Sequence, residues 1–175
     1  MKSLTLLRHA KSDWTDAVAR DFDRPLNERG RRAARTMGAY LAREKLDFDR
    51  VLASPATRVR DTLDEVATGY GGAFDTRFDA RIYLASASTL LDLVRETDAG
   101  VGRLLLVGHN PGLEELALEL GRGDADSPML REVEVKYPTA TLAEIALDAW
   151  ADADAGRIVR FVRPRDLDPE LGPDA

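Results

Sequence analysis

Two short apolar runs, each ending in a histidine, constrain this chain more than any other feature. Leu4-Thr5-Leu6-Leu7 leads into Arg8 and His9; Leu104-Leu105-Leu106-Val107 leads into Gly108 and His109, then Asn110, Pro111 and Gly112. Runs this short that stop at polar residues read as buried strands rather than helices. In an open parallel sheet, ligands bind beyond the carboxyl ends of the strands. The chain has two histidines in all, and a parallel arrangement would bring both to one sheet edge.

The rest of the chain supplies what such a sheet needs. With 175 residues, 44% of them hydrophobic and few aromatic, it suits one α/β domain with a substantial core. A net charge of −6 disfavours general nucleic-acid or anionic-membrane surfaces, leaving basic character local, at Arg8, Lys11 and Arg58. The absence of cysteine excludes disulfides, thiolate metal sites and cysteine nucleophiles. Two distant histidines without a carboxylate cluster offer too few ligands for a metal; no metal and no cofactor is expected. Leu4–Leu7 is too short for a signal-peptide core and no run is long enough to span a bilayer, so the expectation is a soluble cytoplasmic protein, monomeric by default.

Along the chain, residues 12–23 read as an irregular loop, with Trp14 either a pocket wall or a hydrophobic anchor beneath it. Asn27 caps a helix running to about Lys45, with Leu26 as a staple and Ala33, Met37, Tyr40 and Leu41 on its buried face. Gly30 in its first turn suits close packing. A strand over Arg50–Ser54 meets a helix capped by Ser54 with Pro55 at its first position. That puts Arg58 near a helix N-terminus, where anions are attracted, unless it pairs with Asp61 or Asp64 on an exposed face. A third strand is expected over Phe74–Phe78, and a helix capped by Ser88 over Thr89–Glu96. The helix after His109 buries Leu113, Leu116, Ala117 and Leu120. Gly121–Pro128 reads as a mobile loop. Ala140–Leu147 and Arg157–Val162 form an antiparallel hairpin at one side of the sheet. Residues 1–163 make a single domain, and the proline-rich acidic tail, 164–175, is expected to be poorly ordered.

Three ordered segments carry a resemblance to a known family. Leu6-Leu7-Arg8-His9-Ala10-Lys11-Ser12, Ser54-Pro55-Ala56-Thr57-Arg58 with Thr62, and Gly108-His109-Asn110-Pro111-Gly112 resemble the histidine phosphatase superfamily, most closely its short SixA-type phosphohistidine phosphatases. Arg24-Pro25-Leu26 and Tyr137-Pro138-Thr139-Ala140-Thr141 extend the likeness over nearly the whole chain. The resemblance implies a phosphoglycerate-mutase-like α/β/α sandwich: three layers, a central mostly parallel sheet and, in so short a chain, no large cap insertion. It makes His9 the nucleophile, with Arg8, Arg58 and His109 gripping the phosphoryl oxygens and Ser12 and Asn110 lining the substrate site. Larger members use a downstream glutamate as general acid; the matching stretch, Asp79–Ala85, offers only Asp79, with Asp13 and Asp61 as outside candidates. A phosphohistidine substrate would need less acid help, because imidazole leaves more readily than an alkoxide. The implied function is a metal-independent phosphatase acting on a phosphorylated protein. A small phosphate ester is the alternative substrate, and an inactive anion-binding scaffold the alternative role.

Overall fold

The structure, a computed structural model, describes residues 1–15 and 20–173. Residues 16–19 of the expected irregular loop and the last two residues of the expected tail lie outside that range. Strands β1 (Lys2–Arg8), β2 (Arg50–Ala53), β3 (Thr76–Phe78), β4 (Arg103–Gly108), β5 (Leu142–Leu147) and β6 (Arg157–Val162) form one sheet in the order β3-β2-β4-β1-β5-β6. The first four in that order run parallel, while β5 lies antiparallel to β1 and β6 antiparallel to β5. The expected mostly parallel sheet with an edge hairpin is what forms.

Alternation along the strands feeds two cores. Leu4 and Leu6 of β1 with Leu104 and Leu106 of β4 pack with helices α3 (Ala87–Arg95), α4 (Gly112–Gly121) and α5 (Pro128–Val135). Leu7, Leu105 and Val107 point the other way, onto α1 (Glu28–Arg43) and α2 (Thr57–Tyr70). Successive side chains on a strand face opposite sides, so a sheet covered on both faces needs the unbroken apolar runs seen here. The result is three layers. Asn27 caps α1 by accepting from the Gly30 amide at 2.8 Å. A Cβ on Gly30 would lie 2.1 Å from the Lys11 carbonyl oxygen, so the glycine lets α1 pack on the backbone that follows β1.

Register fixes where the histidines emerge. Arg8 pairs with Gly108 and the His9 amide donates to the Gly108 carbonyl at 3.1 Å. Both imidazoles therefore leave neighbouring parallel strands at one level. Only the span from Asp79 to Ser86 joins β3 to α3, too short for a cap.

Several local readings need correction. The helix expected from Pro55 begins at Thr57 with Ala56 at its cap, because Ser54 is drawn into the site described below. Ser86, not Ser88, caps α3, accepting from the Thr89 amide. Residues 122–124 form a 3-10 turn rather than an open loop, and α5 follows with Pro128 in its first turn. The expected disordered tail is folded over 164–171 as a short helix, Pro164–Leu167, and a 3-10 turn, Pro169–Leu171. Leu171 is buried there and Arg32 of α1 holds Asp168 and Glu170 at 2.6 and 2.8 Å.

Candidate active site

The carboxyl edge of β1, β2 and β4 opens into a cavity of about 460 Å³ lined by Arg8, His9, Arg24, Arg58 and His109, among others. The two imidazole centroids lie 5.3 Å apart. His9 Nδ1 lies 2.7 Å from the Ala10 carbonyl oxygen. That oxygen can only accept, so Nδ1 carries the proton and Nε2 keeps the lone pair. Burial, reinforced by His109, Arg8 and Arg58, pushes the His9 pKa down to about 3. The neighbouring cations thus act in the expected direction, but burial is the larger cause.

His109 is held at both nitrogens. Arg58 Nη2 donates to Nδ1 at 3.3 Å, so Nε2 carries the proton that reaches Ser54 Oγ at 2.7 Å. Burial and Arg58 lower its pKa to about 4. Thr62 ties the segments together: its hydroxyl accepts from the Ala10 amide at 2.9 Å and donates to the Arg58 carbonyl at 2.6 Å. Arg8 Nη1 and Asn110 Nδ2 both donate to the Tyr137 carbonyl, at 2.9 and 3.1 Å. Buried Nε groups on Arg8, Arg24 and Arg58 have no protein acceptor. All three arginines line the cavity, and guanidinium donors around such a cavity stabilise a tetrahedral oxyanion.

His9, Arg8, Arg58, His109, Ser12 and Asn110 all line the one cavity. Asp79 does not. Its side chain accepts from the Arg81 amide and pairs with the Arg81 guanidinium at 2.8 Å, which holds its carboxyl below the usual range. Asp79 starts a 3-10 turn and is not positioned as an acid. Neither alternative pairing of Arg58 forms; its partner is Asp21, through the carbonyl at 2.7 Å and the carboxylate at 3.1 Å.

Sequence reasoning missed Asp21, Arg24, Ser54 and Tyr83 as site residues. Asp21 is the one carboxylate lining the cavity among the described residues. It accepts from Arg24 Nη2 at 2.6 Å and from the Tyr83 hydroxyl. That hydroxyl, with Arg58, holds its carboxyl below the usual range. The available signals are Arg24-Pro25-Leu26 and Ser54-Pro55-Ala56-Thr57-Arg58, both part of the resemblance. Trp14 forms a cavity wall and stacks on Arg24, whose Cζ sits 3.4 Å from the ring centroid.

Comparison with known proteins agrees with this geometry. A model of the histidine phosphatase superfamily (branch 1) matches residues 4–82. An uncharacterized protein of Mycobacterium tuberculosis is 36% identical over 163 residues, spanning 91% of this chain and 100% of that one. Phosphohistidine phosphatase SixA of Escherichia coli is 28% identical over 151 residues, spanning 82% of this chain and 84% of that one. A crystal structure from Agrobacterium tumefaciens, assigned as a phosphohistidine phosphatase SixA, superposes with a TM-score of 0.78 at 30% identity, covering 93% of this chain and 98% of that one. A likeness of this extent, together with paired strand-end histidines among guanidiniums, establishes that the chain belongs to the histidine phosphatase superfamily.

Proposed function

We propose that this protein is a phosphatase that takes the phosphoryl group of a protein phosphohistidine onto His9 and then passes it to water without a metal. The observation that carries the reading is the state of His9: uncharged, with Nδ1 engaged by Ala10 and Nε2 left to attack. Phosphoryl transfer asks the protein mainly for positioning and for neutralisation of the equatorial oxygens. Arg8, Arg58 and His109 can supply both. To donate to the anion, His109 would take a proton at Nδ1 and give up its contact with Arg58, keeping Nε2 on Ser54, once the phosphoryl charge opposes the effect of burial.

In the first step the Nε2 lone pair bonds to phosphorus as the substrate P–N bond breaks, and its electron pair stays on the departing imidazole. With a proton already on its other nitrogen, that ring leaves neutral and needs no acid from the protein. In the second step water bonds to phosphorus, the P–Nε2 bond breaks, and the water proton leaves with phosphate. Asp21 supports the phosphohistidine reading over an alkyl ester, because a carboxylate held ionised by Tyr83, Arg24 and Arg58 has no proton to give an alkoxide.

The test uses a phosphohistidine carrier, para-nitrophenyl phosphate and an alkyl phosphate, each with excess chelator. The wild type should turn over the first two and leave the alkyl ester nearly untouched. His9→Ala should lower both rates by at least about 10³-fold. Equal rates for wild type and variant end the nucleophile assignment, and a preference for the alkyl ester reverses the substrate assignment.

A further inference from the structure

The lining of the cavity is of two kinds. Arg8, His9, Arg58 and His109 are polar, whereas Trp14 and Leu84 bring apolar surface to the same space. A phosphoryl group uses the first kind, and nothing in its chemistry uses the second.

Trp14 is 75% exposed and yet held in place. The segments after β1 and before α1 pair antiparallel: the Asp13 amide donates to the Pro25 carbonyl at 2.8 Å, the Asn27 amide to the Lys11 carbonyl at 3.0 Å, and Ser12 bridges Leu26. Continuing that register sets Trp14 opposite Arg24, whose guanidinium carbon lies 3.4 Å from the ring centroid. A cation–π contact thus covers one face of the indole, and the exposure of the ring leaves the other open. The same guanidinium donates to Asp21 at 2.6 Å, and Asp21 accepts from Arg58 at 3.1 Å. Through Arg24 and Asp21 the indole is therefore fixed relative to an arginine of the phosphoryl grip.

Leu84 reaches the cavity from the other connection, between β3 and α3, and is 56% exposed. Its φ is +49°, a left-handed conformation that leucine holds only with strain. With the side chain in the cavity and not in the core, that strain gains little internal packing, and such outliers collect at ligand sites. Its neighbour Tyr83 donates its hydroxyl to Asp21 as well. One carboxylate ties the two apolar groups to Arg58.

Resting on the phosphatase reading above, we infer that Trp14 and Leu84 form a subsite for the leaving group, and that the group it takes is a flat ring, the imidazole of phosphohistidine. An imidazole bonded to phosphorus lies beside the phosphoryl group by covalent necessity. Its planar face can stack on the open face of the indole, which orients the scissile P–N bond as well as binding the ring. An amine or alkoxide without a ring has nothing to stack. Trp14 is then a specificity-determining residue: the polar groups read the phosphoryl oxygens and the indole reads what carries them.

The experiment compares kcat/KM on free phosphohistidine with kcat/KM on phosphoramidate, which has the same P–N bond but releases ammonia and has no ring. Taking the ratio of the two cancels any effect on the fold, on His9 or on the phosphoryl grip. Trp14→Ala should lower that ratio by about five- to tenfold, and Trp14→Phe, which keeps a flat ring, should restore it to within about twofold of wild type. Leu84→Gly, which suits the left-handed backbone, should lower it by about threefold. para-Nitrophenyl phosphate, which also carries a ring, should follow phosphohistidine in each variant. A ratio that Trp14→Ala leaves at the wild-type value overturns the subsite, and one that Leu84→Gly leaves there removes Leu84 from it. Trp14→Phe falling as far as Trp14→Ala overturns the stacking of a flat ring. No wild-type turnover of either P–N substrate instead overturns the phosphatase reading and takes the subsite with it, so the two failures are distinguishable.

Discussion

Asp21 is the point where the site's charges are balanced. Two guanidiniums and a phenol converge on one carboxylate, which neutralises part of the cavity while orienting Arg58. Asp21→Asn keeps one oxygen, enough for the Arg58 and Tyr83 donors that share Oδ2, but turns an amide N–H toward Arg24 and removes the negative charge. Inhibition by vanadate should therefore tighten by about three- to tenfold, and phosphohistidine turnover should stay within a few-fold of wild type. A collapse of turnover would make Asp21 the proton donor after all. Asp79→Asn serves as a control, since that carboxylate is spent on Arg81 and its loss should alter neither substrate's rate. The four principal residues were legible because strand ends and a helix start mark them: His9 and His109 leave paired strands, and Arg58 opens α2. Asp21 starts one three-residue 3-10 turn and Tyr83 closes another, elements too short to leave a periodic signature. Ser54 was noticed for the wrong duty, since its residue type suits a helix cap while its hydroxyl serves His109.

Among the elements, α1 and α2 show how closely glycine sets helix spacing. A Cβ on Gly38 would sit 2.1 Å from the Val66 carbonyl oxygen, and one on Gly69 would sit 2.0 Å from that of Arg35. Each helix thus rests a glycine on the other's backbone, which cannot rotate away as a side chain could. Gly38→Ala should lower unfolding free energy by about 2–3 kcal/mol, seen as a lower urea midpoint at unchanged slope. Gly100→Ala, where a Cβ meets nothing within 4 Å, should leave the midpoint in place; equal shifts in both would refute the packing explanation. Strands and long helices were readable because their apolar periods match the burial they achieve. Three of the elements the sequence does not announce begin at a proline, which can break a helix or start one. Pro128 opens α5, and Pro164 and Pro169 each open a turn of the folded tail. Only the tertiary partners decide such cases: Leu171 in the core and Arg32 on Asp168.

At the scale of the whole molecule, placing both histidines uncharged at one sheet edge ties fold stability to pH. Burial, with cationic neighbours, lowers His9 to about 3 and His109 to about 4, whereas each titrates near 6.5 in the unfolded chain. Between those values the unfolded state binds more protons, so stability is fully present above about 6.5 and drains away as pH falls toward 4 and then 3. The carboxylates held low, Asp13, Asp21, Asp49, Asp79 and Asp166, begin to contribute only near and below their ordinary range of about 4. The window from about 6 to 4.5 therefore isolates the imidazoles. Near pH 5 both are charged in the unfolded chain and neutral in the fold, so unfolding free energy should drop by roughly 2–3 kcal/mol per pH unit. Urea midpoints measured across that window should fall steeply for the wild type and much less for a His9→Asn, His109→Gln double variant. Sulfate should flatten the wild-type slope, because an anion among the guanidiniums favours the imidazolium that burial disfavours. A wild-type midpoint that stays level from about pH 6 to 4.5 would mean the imidazoles are not held neutral, and the attacking lone pair on His9 would go with it.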